Sequence, residues 1–332
     1  MDSLTQIVLG AAIGEAVLGR KIGNKAMLYG AIGGTIPDLD IISSFFTDTV
    51  TALEIHRGFT HSILFCVVFA PIFAFIVAKF ETYKNKKDWS LLFFWTFITH
   101  PILDAQTTWG TQLFWPLDIR LAFKNVFVID PLYTLPFLFF LILAMRQKKE
   151  SKKRRFYNNC GLIISSCYLL FTLILKGISY QTFTKELASQ NIQYQEITTK
   201  PSPLNTVLWT ANVKTDTSFL IGHSSFLDKN AIQFSSYPKN HHLLGELANH
   251  PKVKRMIAIS KGWYTINKKE NILYFNDLRF GTLGMELNAT NFVFKYKIEV
   301  DKNGIPFFIE EPKDKTDGKK MLSELWLRIK GN

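Results

Sequence analysis

The sequence predicts an α-helical integral-membrane domain of about six segments followed by a soluble α+β domain. Three observations predict it. Long apolar runs crowd residues 1–180, whereas residues 181–332 mix polar and apolar residues as soluble domains do. Basic clusters recur between alternate pairs of the apolar runs. Short alternating runs broken by turn residues fill the C-terminal part. A chain of 332 residues accommodates two domains. They are drawn at 1–180, helical and transmembrane, and at 181–332, extracytoplasmic.

The first two segments, 4–19 and 26–36, are rich in Gly and Ala and shorter than the roughly 20 residues of a full span. Small residues let helix backbones approach closely, so the pair reads as a tightly packed hairpin. Segment three covers 62–79, segment four 89–103, segment five 128–145 and segment six 160–178. The loops at 20–25, 79–87 and 146–155 are basic, the last with seven basic residues and one Glu. Lys and Arg gather in cytoplasmic loops, so the three are expected on one side. Residues 37–61, 104–127 and everything after 180 are then expected on the other. Residues 1–19 carry an acid at position 2 and no basic start, so no cleavable leader is expected.

Within 181–332, strands are read at 206–213, 218–222, 262–266, 271–275 and 292–300, and helices at 241–257 and 319–330. One mixed or antiparallel sheet is expected. The three cysteines, Cys66, Cys160 and Cys167, lie in apolar segments without a CxxC pair, which argues against disulfides and thiolate metal sites. The net charge of +12 is shared evenly, with 18 basic and 12 acidic residues in 1–180 and 21 and 15 in the rest. A nucleic-acid binder would concentrate that excess on one domain, so no nucleic-acid partner is expected.

Ionisable residues cluster at the rims of the apolar segments. Pro37-Asp38-Leu39-Asp40 leads to His56-Arg57-Gly58-Phe59-Thr60-His61-Ser62, and segment four ends in His100-Pro101-Ile102-Leu103-Asp104. Such groups beside lipid are costly and usually functional, and imidazole with carboxylate is an ordinary ligand set for zinc or manganese. His100 and Asp104 share one helical face. His56 and His61 are five apart, and Gly58 allows the turn that would fold both inward. The candidate ligands are Asp38, Asp40, His56, His61, His100 and Asp104, zinc being the first choice of metal and manganese the second. Arg57 reads as a salt-bridge partner for Asp38 or Asp40, or as a clamp on an anionic substrate. The plainer reading makes these residues polar helix caps, bonded to one another and to headgroups. Asp130, before Pro131, reads as a helix-start residue. His223, His241, His242 and His250 show no ligand spacing.

The Met-Asp-Ser-Leu-Thr start, the Pro37–Asp40 motif, the His56–Ser62 motif and the His100–Asp104 motif together resemble the membrane-bound metal-dependent hydrolase family. Its members are also called YdjM-like, LexA-regulated inner-membrane hydrolases. The resemblance covers about residues 1–180. Asp277-Leu278-Arg279-Phe280-Gly281 is similar to a stretch in longer members with an outer domain. Members often carry histidine after the first threonine, where this chain has Gln6. If that histidine is a ligand, Asp2 or water compensates here.

The resemblance implies a metal-dependent hydrolase of the inner membrane. In that reading His56, His61, His100 and Asp104 bind the metal. Asp38 and Asp40 are ligand, bridge or orienting groups, with Asp40 and Arg57 as the catalytic candidates. Position at the membrane–water interface points to a phosphoester or ester of a lipid or envelope precursor, with membrane lipids as neighbours. The competing reading is a non-catalytic membrane-anchored protein whose structural polar or metal cluster displays an extracytoplasmic binding domain.

Overall fold

The computed structural model describes residues 1–312 and 318–331. The chain divides into two compact units. The first comprises Met1–Ile42, Ile55–Ile174 and Pro203–Asn205, and the second Ser43–Glu54, Leu175–Ser202 and Thr206–Asn332.

Unit one is helical. Helix α1 spans Ser3–Ile22 and α2 spans Asn24–Thr35. They pack backbone to backbone through Gly10 and Gly14 on α1 and Gly30 and Gly34 on α2. A Cβ placed on Gly14 would sit 2.1 Å from the Ala26 carbonyl oxygen, and one on Gly30 would sit 2.2 Å from that of Gly10. Two small-xxx-small pairs therefore replace side-chain packing with direct backbone contact. The close hairpin expected from composition is present.

Helix α4 (Ile63–Phe80) begins at Ser62, whose hydroxyl accepts from Phe65 N. Helix α5 (Lys86–Asp104) follows, then α6 (Pro131–Met145) and α7 (Lys152–Ser189). Asp130 caps α6 through Leu132 N at 2.9 Å and accepts from the Tyr168 hydroxyl at 2.8 Å, which is the helix-start role read for it. Among the described residues two helices, α4 and α7, are long and apolar enough to cross a membrane. Their most apolar stretches are only 28% and 17% buried, unlike the core helices of soluble proteins. Of the six expected segments, two thus meet length and apolarity together among the described residues. α6 is apolar but has 15 residues, and α1 and α2 spend their inner surfaces on each other.

One residue of the basic run 146–155 is not at the surface. Arg154 is buried and bonds Glu15 twice, Nε to Oε1 and NH2 to Oε2, both at 2.6 Å. Its NH1 also donates to Asn24 Oδ1 at 2.7 Å. The glutamate that interrupts the first apolar segment is therefore neutralised inside the bundle.

Unit two contains two four-stranded antiparallel sheets in simple sequential order, in place of the single sheet expected. The first has β1 (Glu196–Pro201), β2 (Leu208–Lys214), β3 (Ser218–Ser225) and β4 (Phe234–Pro238). The second has β5 (Tyr264–Lys269), β6 (Ile272–Thr282), β7 (Phe292–Val300) and β8 (Pro306–Glu310). A helical connection separates them: a 3-10 stretch His241–Asn249, kinked at Gly245, and then α8 (Pro251–Ile259). The kink and Pro251 break the single helix expected over 241–257. Phe219, Ile221 and Tyr237 of the first sheet pack with Trp263, Leu278 and Phe292, so the sheets share apolar contacts. The terminal helix α9 (Gly318–Ile329) matches the expected one. Asp277 and Arg279 of the DLRFG stretch form a buried ion pair on β6.

Candidate metal centre

The site is built entirely in unit one, where three chain segments end together. Asp38 opens the 3-10 stretch Pro37–Phe45 that follows α2. His61 closes the 3-10 turn Phe59–His61 that leads into α4. His100 and Asp104 lie one turn apart on α5. One ligand atom from each of these four residues lies within 4.8 Å of all the others.

Both imidazoles present Nε2 to the centre. His100 Nε2 is 3.3 Å and His61 Nε2 3.4 Å from Asp38 Oδ1. The same nitrogens are 3.7 Å and 3.5 Å from Asp104 Oδ2, and 3.2 Å from each other. The groups behind the rings set their tautomers. His100 Nδ1 is 2.6 Å from the carbonyl oxygen of Gly34, which can only accept, so Nδ1 carries the hydrogen. His61 Nδ1 is 3.0 Å from Thr60 Oγ1 and 3.5 Å from Asp40 Oδ2. Nδ1–H on both rings leaves two Nε2 lone pairs facing each other and two carboxylate oxygens. Asp104 Oδ2 is fully buried without a hydrogen-bond donor. Two Nε2 lone pairs and two carboxylate oxygens converge there, with the Arg57 guanidinium on the flank of Asp104, and two imidazoles with two carboxylates form a suitable set for a divalent metal.

Charge around the site follows the same contacts. Burial pushes the Asp38 carboxyl up, but the adjoining imidazoles of His100 and His61 outweigh it and hold Asp38 well below the usual range. Burial pushes His61 down, but the neighbouring Asp104 and Asp38 carboxylates outweigh that and raise it.

The structure does not bring Asp40 and His56 into this cluster. Asp40 is a buried hub. Its Oδ1 is 3.1 Å from His56 Nδ1, and its Oδ2 accepts from Arg57 N at 2.7 Å and from the Thr60 hydroxyl at 3.3 Å. His56 turns away toward Trp109, with ring centroids 5.6 Å apart. The backbone of Arg57 is left-handed, with φ of 58°, which aims its amide at Asp40 and its side chain elsewhere. That side chain is buried. Its Nε lies 2.9 Å from Asp104 Oδ2, in ion-pair range but not aligned as a hydrogen bond. NH1 donates to Thr107 Oγ1 at 2.9 Å. The partner of the Arg57 guanidinium is thus Asp104, rather than Asp38 or Asp40.

Gln6 stands beside the site. Its Nε2 donates to Asp104 Oδ1 at 2.9 Å and to the His100 carbonyl at 3.3 Å, and the Met1 amino group also meets Asp104 Oδ1. Asp2 caps α1 by accepting from Thr5 N at 3.1 Å and takes no place in the cluster. The four later histidines lie in unit two, outside the cluster; His250, for example, caps α8. Two contributors escaped the sequence reading. They are the Gly34 carbonyl and the Met1 amino group, both backbone groups with no side-chain signal of their own.

Fold and site together define a helical membrane protein with a buried His/Asp cluster, joined to a β-sheet unit. A family model for the YdjM inner membrane protein matches residues 1–179, and the chain belongs to that family. It is 29% identical over 144 residues to the uncharacterised protein YfhP of Bacillus subtilis, covering 40% of this chain and 42% of YfhP. It is 28% identical over 112 residues to the inner membrane protein YbcI of Escherichia coli, covering 34% of this chain and 64% of YbcI. Each match therefore spans less than two thirds of the curated relative. No solved structure matches.

Proposed function

We propose that the chain is an integral-membrane, metal-dependent hydrolase acting on a lipid or envelope phosphoester or ester. The observation that carries it is the convergence of the two Nε2 atoms and two carboxylates, with Asp104 Oδ2 buried and lacking a donor. In this reading Asp38, His61, His100 and Asp104 hold one divalent cation, zinc by preference and manganese as the second choice. Bound there, the cation would supply Lewis acidity and activate water for hydrolysis.

The chain's own groups have distinct tasks. The Gly34 carbonyl and Asp40 hold the imidazoles in the tautomer that leaves Nε2 free. Asp40 already accepts on both oxygens, so orientation of His61 is its task ahead of proton abstraction. Arg57 balances Asp104 and steadies its carboxylate. Asp38 is the exposed member of the four, at 30%, and gives the site an open side, as catalytic sites require and structural ones do not.

Topology supports the substrate class. The three basic loops gather at one end of unit one. Lys21 pairs with Asp88, Lys25 with Glu81 at 2.7 Å, and Asn24 bonds both Arg154 and the Met145 carbonyl. The site lies at the opposite ends of α2, α4 and α5. In the proposed arrangement six segments place the basic end in the cytoplasm, and the site and residues 181–332 outside. Apolar side chains border the site. Leu39, Ile41 and Ile42 are exposed beside Asp38, and Phe114, Trp115 and Leu117 are exposed on the loop joined to the site by Gln112 N and the Arg57 carbonyl. A rim of this kind suits a substrate anchored in the bilayer.

The test is hydrolysis by nanodisc-reconstituted protein, loaded with zinc or manganese, against phospholipids and lipid phosphates. Turnover abolished by chelator and restored by metal is expected. Metal-loaded protein without turnover on any of them would favour the non-catalytic anchored protein.

A further inference from the structure

We infer that α9 is an interfacial helix, which docks on an anionic lipid surface through Leu322, Trp326 and Leu327. Nothing in this depends on the metal centre, since every group involved lies in unit two. One face of α9 is fixed to the first sheet. Leu325 is buried there. The Arg328 guanidinium bonds the two Asp228 oxygens at 2.6 and 2.7 Å and the His223 carbonyl at 2.7 Å. Ser225 Oγ donates to the Ile329 carbonyl at 2.6 Å. A Cβ on Gly331 would sit 2.5 Å from the Leu227 carbonyl oxygen, so the turn after β3 is pressed against the end of the helix.

The opposite face is built differently. At about 100° per residue, Leu322, Trp326 and Leu327 share it with Lys319, Lys320 and Lys330. All six are exposed, Leu322 at 55% and Trp326 at 59%. Lys330 Nζ lies 5.3 Å from the centroid of the Trp326 ring. Phe226 and Leu227, also exposed, extend the apolar patch past the end of the helix. Single apolar side chains are ordinary on a surface, but a contiguous patch rimmed by charge marks an interaction site. Three features select a bilayer as its partner. Leucine and tryptophan flanked by lysines on one helix face suit the headgroup level, with the apolar groups in the acyl boundary and the ammonium groups reaching up to phosphates. The charge has one sign: Arg328 and Asp228 neutralise each other, which leaves Lys229, Lys319, Lys320 and Lys330 against Glu324. That excess complements anionic headgroups. Finally, the apolar run of α7 ends inside unit two, where Leu175 packs on the core formed by Phe183, Leu187 and Trp209. Gln195 N bonds the Lys214 carbonyl at 2.7 Å, so the β2–β3 hairpin lies at the sheet end beside the exit from α7. α9 docks at the other end, where Leu208 pairs with Ser225.

The experiment uses the full-length protein in nanodiscs of mixed phosphatidylglycerol and phosphatidylcholine. Cys66, Cys160 and Cys167 are replaced by alanine, and a nitroxide is attached at Leu322→Cys or, separately, at Leu327→Cys. At both positions, collision with oxygen, which enters lipid, is expected to exceed collision with a water-soluble nickel chelate. The ratio of docked to free helix is expected to fall about fivefold for each lysine lost in Lys320→Glu and Lys330→Glu, and at least as far in phosphatidylcholine alone. Labels open to the nickel chelate would show a free helix, and labels shielded from both reagents a protein cover, such as a second copy. Docking indifferent to lipid charge and to both lysines would show a purely apolar contact. Each of these results would overturn the inference. The unlabelled protein gives a reading that needs no cysteine replacement. Brominated lipid should quench the Trp326 fluorescence, taken as the difference between wild type and Trp326→Phe, and an unquenched difference would likewise overturn it.

Discussion

Unit one buries two polar clusters in an otherwise apolar bundle, and they are built on opposite plans. At the basic end, Arg154 meets Glu15 with two parallel bonds and spends a further donor on Asn24. Donors match acceptors, one cation matches one anion, and the chain needs nothing from outside. At the other end three carboxylates, Asp38, Asp40 and Asp104, face Arg57 and the Met1 amino group, with two imidazole lone pairs added. Two imidazole nitrogens and two carboxylate oxygens converge there within 4.8 Å of one another. A buried cluster that closes on itself is structural, whereas one left with surplus acceptors is arranged for a cation.

The contrast can be broken by substitution. Asp104→Asn removes the charge shared by both imidazoles and Arg57, and is expected to abolish stoichiometric metal binding, read by mass spectrometry of the metal content. Retained metal would place the ligands elsewhere. Arg154→Ala leaves Glu15 buried and uncompensated, and should cost about 3–5 kcal/mol in stability, read by thermal or denaturant unfolding in detergent. Metal per folded molecule should stay unchanged. A loss of metal equal to that of Asp104→Asn would erase the distinction between the clusters. Asp40→Asn sharpens the comparison. It keeps the shape of the hub but weakens the hold on His61 Nδ1, so metal affinity should fall about 10–100-fold without disappearing. Complete loss would make Asp40 a ligand. Ser62→Ala, which removes the cap of α4 next to His61, should cost about 1 kcal/mol and leave metal content intact.

How much of this could be read beforehand depends on the range of the interactions. His100 and Asp104 were legible because a four-residue step on a helix fixes their common face. Asp38 and His61 were legible as residue types, since acids and imidazoles at apolar rims demand an explanation. Their separation from Asp40 and His56 was not legible. It is decided by the left-handed backbone at Arg57, a position where no glycine gives warning. The helix hairpin was announced by Gly10, Gly14, Gly30 and Gly34, which pack as spacing implies. Arg154 showed its charge but not its burial, because Glu15 lies 139 positions away in sequence. In the second unit, β7 was clear from its long alternation, whereas β1, β4 and β8 are short and carry Pro at their ends or several polar residues. The division into two sheets depends on the kinked connection at Gly245, a tertiary matter that alternation does not encode.

The most direct test of the central claim is metal content, measured by mass spectrometry on detergent-purified protein. Wild type is compared with a His61→Ala/His100→Ala double variant. One equivalent of zinc or manganese in wild type, absent from a double variant that remains folded, is the predicted result. Wild type that stays metal-free after reconstitution, or a folded double variant that keeps its metal, would contradict the account.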